Sequence, residues 1–330
     1  MTVLVTGAAG FIGFHTSRAL LQRGDKVIGI DNLNDYYDVS LKQARLDVLG
    51  AHEGFRFECL DIADKAAVGD LIKGHGGITR VVHLASQAGV RYSMVDPYAY
   101  THANVEGQLV LLETCRTLER LDHFVYASSS SVYGGNTKLP FSIQDPVDRP
   151  LSVYAATKRS MELMAYSYAH IYAMPLTGLR FFTVYGPWGR PDMAAFIFIR
   201  KILAGEAIPV FNNGDMRRDF TYIDDIVAGI LACLDKPPVA GEGAEEGKAP
   251  ARVYNIGNNN AEPLMRFISV LEDALGQKAE IDFRPLQTGD VPETSADITE
   301  TQRDFGFKPK ITIDEGLPLL VAWYRDYYGA

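Results

Sequence analysis

The sequence has little cysteine, and what it has is scattered: Cys59, Cys115 and Cys233 are odd in number and far apart. That spacing excludes a disulfide framework and a cysteine-based zinc site, and it fits a reducing compartment. The seven histidines include no HExxH and no pairing with cysteine at ligand spacing, so no metal is expected. No apolar run approaches the ~18 residues of a membrane span. The first apolar stretch is broken by Gly7, Gly10 and Gly13 and has no basic lead-in. Neither a secretory leader nor a membrane anchor is expected, and the expected location is the cytoplasm. Positive charge is in the minority: 32 Lys and Arg stand against 41 Asp and Glu, a net of −9, with no basic block. A nucleic-acid or anionic-membrane partner is therefore not expected. An anionic small molecule, held by a few placed arginines and helix N-termini, fits this balance.

What is present is an ordinary globular composition, 47% hydrophobic and 22% charged over 330 residues. At ~100–200 residues per domain this is one large domain or two modest ones, long enough to bury a core without staples. Short β-branched runs at 3–6, 26–31, 55–59, 80–83 and 123–127 read as strands, separated by helical patterns that include 11–23, 96–118 and 153–172. Strands alternating with helices predict an α/β fold, a Rossmann-type doubly wound parallel sheet covered on both faces. Ligands then sit at the carboxyl ends of the strands. Past residue 180 the pattern is less regular. Loop-like segments at 188–193, 211–215 and 285–292 mix with helices near 195–204, 224–234 and 264–275, and a last helix is expected at 313–328. Residues 1–180 thus read as the sheet-bearing domain. Residues 181–330 read as mainly a smaller C-terminal substrate-binding lobe, with some segments returning to the sheet. The stretch 236–251, rich in Gly, Glu, Ala and Pro, reads as a mobile surface loop.

Gly7-Ala8-Ala9-Gly10-Phe11-Ile12-Gly13 follows the first strand and opens the first helix. Glycines there allow a tight turn and close approach of backbone to a pyrophosphate, and the helix N-terminus supplies free N–H groups and partial positive charge. Glycines also end strands for plain steric reasons, so the context decides. The next strand ends in Asp31, near the interval of about 20 residues expected of the acid that accepts from adenosine ribose hydroxyls. A carboxylate there repels a 2′-phosphate and favours NAD over NADP; the alternative is that Asp31 only caps a turn. Asp61-Ile62, ending the third strand, are placed to flank the adenine, unless Asp61 is a solvated loop acid.

The helix from 153 carries Tyr154 and Lys158, a spacing that puts both on one face. A free phenol titrates near 10 and is a poor base. A neighbouring ammonium and a positively charged nicotinamide lower that value, making a base that takes a proton from a sugar hydroxyl and returns it. Tyr and Lys four apart are also ordinary amphipathic helix surface. Just upstream, Ser128-Ser129-Ser130-Ser131 leave the end of the fifth strand, where alternate side chains face alternate sides. One parity therefore faces the ligand cleft, and a hydroxyl there can relay a proton to Tyr154.

Together the glycine fingerprint, Asp31, the serine run and Tyr154-xxx-Lys158 resemble the extended short-chain dehydrogenase/reductase family of nucleotide-sugar enzymes. The segments 31–37, 89–93, 186–193, 218–225 and 289–292 are similar to one branch in particular, the UDP-glucuronate 4-epimerases. The resemblance implies NAD-dependent 4-epimerisation of UDP-glucuronate to UDP-galacturonate through a transient 4-keto sugar. It implies Tyr154 as acid/base, Lys158 on the cofactor ribose, and Ser129 as catalytic hydroxyl with Ser131 touching the same sugar oxygen. Gly7, Gly10, Phe11, Ile12, Asp31, Asn32, Asp61, Ile62, Leu84, Ala85, Asn104 and Phe181 are implied to line the NAD site. Phe211 is implied to pack on uracil, Arg218 to bind the diphosphate, Asp290 to hold nucleotide hydroxyls, and Thr183 with Arg190 to hold the sugar carboxylate. The alternative for Arg190 is a surface charge. Gln287 stands where neutral-sugar epimerases carry a second diphosphate-binding Arg. Ser131 stands where dehydratases and decarboxylases carry an acid, which favours simple epimerisation. The competing readings are a UDP-glucose/UDP-galactose 4-epimerase, a UDP-glucuronate decarboxylase and a non-catalytic NAD-binding protein. A homodimer formed through the helices at 96–118 and 153–172 is implied by the same resemblance, as is a role supplying polysaccharide biosynthesis.

Overall fold

The computed structural model describes residues 1–241, 249–287 and 289–330. The first half lays down β1 (Thr2–Thr6), α1 (Phe11–Gln22), β2 (Lys26–Asp31), α2 (Val39–Gly50), β3 (Phe55–Cys59), α3 (Lys65–Gly74) and β4 (Ile78–His83). It continues through α4 (Pro97–Tyr100), α5 (Gly107–Cys115), β5 (His123–Ser129), α6 (Val153–Tyr172) and β6 (Leu176–Phe181). The second half adds β7 (Thr183–Tyr185), α7 (Ala194–Leu203), β8 (Ile208–Val210), β9 (Arg217–Tyr222), α8 (Ile223–Leu234) and β10 (Ala251–Ile256). It closes with β11 (Ala261–Pro263), α9 (Leu264–Leu275), β12 (Ile281–Phe283), α10 (Thr299–Phe305) and α11 (Ile313–Tyr328).

Seven parallel strands form the main sheet in the order β10-β6-β5-β4-β1-β2-β3. The order reverses between β1 and β4, and a crevice opens at their carboxyl ends. Each face carries its own apolar core. Ile62, Leu71, Leu111, Met161 and Ala165 pack under α3, α5 and α6 on one side. Phe14, Leu20, Ile226 and Ile230 from α1 and α8 cover the other and continue into the smaller lobe. That lobe holds a three-stranded sheet, β11-β9-β7, and a two-stranded one, β12-β8. Residue 180, where the sequence reading parts the chain, lies within β6. α8 and β10 both return to the main sheet.

Several local expectations need correction. The helix expected over 96–118 runs without a break from Pro97 to Cys115, but a π-helical stretch at Thr101–Glu106 separates α4 from α5. The wider turn lets Asn104 project onto the loop after β4 while Gly107 packs against Ile62. β5 runs two residues beyond 127 because Ser128 and Ser129 pair with Arg180 and Phe181 of β6. β6 and β10 are not evident from the sequence. β6 contains Gly178, where a Cβ would stand 2.6 Å from the Tyr126 hydroxyl. β10 mixes Arg252 and Asn255 into its run. Of the loop expected over 236–251, residues 242–248 lie outside the described residues; Ala249 is buried and Ala251 already opens β10.

Candidate active site

The carboxyl ends of the central strands open into one cavity of about 850 Å³. All the site residues expected from the sequence line it except Asn104. At the β1 end, Gly7 takes a positive φ of +70°, and a Cβ there would stand 2.8 Å from the Ala85 backbone nitrogen. Only glycine lets the two loops approach so closely. Helix α1 begins after Gly10 with no side-chain cap and no acid in its first turn, so its N–H groups and positive end face the cavity. Asp31 Oδ1 accepts from the Leu33 N–H at 2.9 Å and lies 3.8 Å from Lys42 Nζ. It does cap a turn, as the plainer alternative holds, yet its second oxygen has no hydrogen-bond partner among the described residues. Asp61, far from being only a solvated acid, accepts from Asn32 Nδ2 at 3.0 Å on the cavity wall. An uncapped helix N-terminus beside carboxylates at two adjacent strand ends fits an NAD dinucleotide. Asn104 differs from expectation. It is fully buried, and its amide holds the backbone N–H and carbonyl of Gln87 at 2.8 and 3.0 Å and the Thr157 hydroxyl at 3.0 Å. It shapes the wall from behind.

At the middle of the cavity the expected serine alternation holds only to Ser129, because Ser130–Tyr133 form a 3-10 turn. Ser128 turns away, donating to Glu162 at 2.6 Å, while Ser131 donates to Ser129 Oγ at 2.9 Å on the cavity side. Ser129 and Tyr154 line the same cavity wall. Burial raises that phenol above its ordinary value, against the hydrogen bond from Ser129 and the charge of Arg190. Lys158 is buried, donates to the Ala127 carbonyl at 2.9 Å, and lies 5.9 Å from the centre of the Tyr154 ring. Burial lowers its own pKa to about 7, with Arg190 adding to the effect. Burial thus lowers the pKa of the ammonium expected to acidify Tyr154, and Arg190 adds its charge at the phenol.

At the far end Arg190 is no surface charge. It lines the cavity and donates to both oxygens of Asp192, at 3.0 and 2.5 Å, while Tyr36 donates to Asp192 at 3.1 Å. The turn that presents it is pinned by the fully buried Arg45, which donates to the Ala9, Trp188 and Gly189 carbonyls at 2.8, 2.6 and 3.1 Å. Thr183 opens β7 on the same wall. Phe211 lies under the Arg91 guanidinium at 4.9 Å. Arg218 is 3.3 Å from Asp290, with Arg91 3.8 Å from the same carboxylate. Asp290 therefore already has cationic partners. The Arg218 guanidinium is also held by the Arg217 and Pro292 carbonyls, each at 2.9 Å, and its neighbour Asp219 is buried and accepts backbone N–H groups from Asn258 at 2.6 Å and Ala296 at 3.0 Å. Gln287 is off the cavity wall.

Sequence reasoning missed Glu162, Arg180, Arg45, Tyr36, Asp192 and Arg91. Glu162 had a local signal, since it continues the four-residue interval of Tyr154 and Lys158, and Tyr36, Arg91 and Asp192 lie in the segments 31–37, 89–93 and 186–193 that carry the resemblance. Arg45 and Arg180 are recognisable only once distant strands and loops meet.

A sequence profile of the NAD dependent epimerase/dehydratase family matches residues 3–257. The chain is 50% identical over 334 residues to UDP-glucuronate 4-epimerase 2 of Arabidopsis thaliana, covering 99% of this chain and 76% of that one. It is 48% identical over 335 residues to protein CapI of Staphylococcus aureus, covering 99% of each. Among solved structures, the UDP-glucuronic acid 4-epimerase of Bacillus cereus, in complex with UDP-glucuronic acid and NAD, matches with a TM-score of 0.89 at 34% identity. That match covers 99% of this chain and all of that one.

Proposed function

The chain belongs to the NAD dependent epimerase/dehydratase family, and from that premise we propose that it interconverts UDP-glucuronate and UDP-galacturonate by epimerisation at C4. The observation that carries this reading is that Ser129 and Tyr154 line the same cavity, with Ser131 donating to Ser129 Oγ and Lys158 beneath the Tyr154 ring. They stand midway along a cavity that holds an uncapped helix N-terminus at one end and Phe211 and Arg218 at the other. NAD+, when bound, supplies the acceptor that takes a hydride from C4 and gives it back on the other face.

The chain's residues do the rest. Tyr154 Oη takes the C4 hydroxyl proton, with Ser129 hydrogen-bonded to the same oxygen and Ser131 backing Ser129. Gly7, Gly10, Phe11 and Ile12 hold the cofactor's pyrophosphate and Asp31 its ribose; Asn32, Asp61, Ile62, Leu84, Ala85 and Phe181 enclose it. Phe211 and Arg218 hold the uracil and diphosphate, so binding energy is spent away from C4 and the 4-keto ring is left free to turn. Tyr154 Oη then returns the proton. Thr183 and Arg190 hold the uronate carboxylate; a 4-keto uronate is a β-keto acid, and fixing its carboxylate near the ketone plane disfavours loss of CO2. The test is an NMR time course with UDP-glucuronate. Appearance of the C4 epimer without UDP-pentose supports this function. UDP-pentose as the main product, or turnover of UDP-glucose alone, overturns it.

The protein acts as a cytoplasmic homodimer whose product feeds polysaccharide-building transferases. Supporting the dimer, Leu163, Tyr166 and Ile171 of α6 are 53%, 51% and 65% exposed, beside Leu109 of α5 at 41%. Apolar side chains this large, grouped on adjacent helices, suit a second copy of the same face. Light scattering should give twice the 36.4 kDa chain mass. Leu163→Asp with Tyr166→Asp should give the single mass, and a wild-type monomer would sink the dimer.

A further inference from the structure

Glu162 takes no part in the chemistry above, yet it is 3% exposed and carries four hydrogen bonds. Its Oε1 accepts from Ser128 Oγ at 2.6 Å and Arg180 Nε at 2.8 Å. Its Oε2 accepts from Arg180 Nη2 at 2.9 Å and Arg159 Nη1 at 2.8 Å. We propose that Glu162 is a positioning residue that sets the Ser129 hydroxyl against the Tyr154 phenol, acting through Ser128 and Arg180.

The geometry is as follows. Tyr154, Lys158 and Glu162 recur every fourth residue and share one face of α6. Ser128 and Ser129 are consecutive in β5, so their side chains leave the strand on opposite sides. Holding Ser128 down on Glu162 fixes the strand's rotation and turns Ser129 toward the cavity. Arg180, buried in β6 beside β5, fixes the carboxylate itself through two parallel bonds. It also reaches the Tyr133 hydroxyl at 3.0 Å, which donates to Asn255 of β10 at 2.6 Å. One carboxylate thereby ties the helix that carries Tyr154 to the strand that carries Ser129.

Stability alone does not account for this arrangement. Well-packed apolar side chains of similar volume commonly stabilise a fold as well as a buried ion pair does. The charges and phenols facing Glu162 are Arg180 from β6, Arg159 from α6, Tyr126 from β5 and Tyr133 from the turn after it. Burial pushes the carboxyl up, but Arg180, Ser128 and Arg159 outweigh it and hold it below its ordinary value, charged at neutral pH. Those facing Tyr154 are Ser129, Lys158, Arg190 and Tyr100.

The proposal rests on Tyr154 and Ser129 being the reacting pair, and the experiment separates the two ideas. Wild type, Ser128→Ala, Glu162→Gln and Tyr154→Phe are compared for kcat, KM and the pH profile of kcat/KM with UDP-glucuronate. Ser128→Ala removes one hydroxyl and should fold. Its kcat should fall about tenfold with KM unchanged, since misplacing a reacting group by about 1 Å costs up to ~10²-fold. Its acid limb should move to higher pH, because the phenol loses the pull of a well-placed Ser129. Glu162→Gln should move both in the same direction and further; if it does not fold, Ser128→Ala decides. Wild-type kcat and profile in Ser128→Ala overturn the proposal. So does a lower kcat that merely tracks lost folded protein, with the acid limb in place. If wild-type turnover survives Tyr154→Phe, it is the reading of the site that fails instead.

Discussion

Tyr154→Phe should lose epimerisation by about 10³-fold while NAD remains bound, the scale expected when a positioned acid/base is removed. In the proposed reaction the phenolic oxygen takes and returns the C4 proton. The ring itself is a packing element, meeting Tyr100 edge-on with centroids 6.0 Å apart. Phenylalanine keeps that contact, so the fold should hold. The glycine loop, Asp31 and Lys158 are untouched, which is why cofactor affinity should not follow activity down. Parallel measurement of product by NMR and of NAD by fluorescence titration checks both halves. Activity within a few-fold of wild type would remove Tyr154 from the chemistry.

Arg190→Met should lower kcat/KM for UDP-glucuronate by about 10²-fold more than it lowers that for UDP-glucose. The guanidinium spends its Nε–Nη2 edge on Asp192. Nη1 makes no hydrogen bond among the described residues and is left for a substrate carboxylate. Hydrogen bonds to a charged group contribute roughly 1.5–3 kcal/mol, which is the scale of that loss. A neutral hexose offers no such partner and should lose only what the Tyr154 phenol loses with the Arg190 charge. Removing Arg190 also leaves Asp192 without its counter-charge, so Arg190→Met with Asp192→Asn is the cleaner comparison. An equal fall for both sugars would assign Arg190 to the architecture of the loop. Released UDP-pentose should also rise, because the carboxylate is no longer held near the ketone plane.

How far the sequence could be read depended on whether a feature was local. α6, α9 and α11 have the bounds their periodicity predicts, because each buries one stripe of its own residues. Tyr154 and Lys158 were legible for the same reason: both lie on one helix. β6 was not, since Gly178 gives up its side chain to make room for a tyrosine on the next strand. Asn104 shows the limit of resemblance. A position can be carried over, but the direction in which its amide turns is decided by Gln87 and Thr157. The same holds for Lys158. Its spacing from Tyr154 was evident, but the desolvation that lowers its pKa to about 7 comes from strands and loops packed around it. Arg190 joins the reacting end through a turn that Arg45 pins from another element.

The return of α8 and β10 to the main sheet has a consequence for how the protein is made. Until residue 256 has left the ribosome, β6 presents a bare edge and α1 lacks the neighbour that covers it. The nucleotide-binding half cannot mature ahead of the rest, as an N-terminal module commonly does. The two lobes share one sheet, and a gene cut near residue 180 should yield two incomplete pieces.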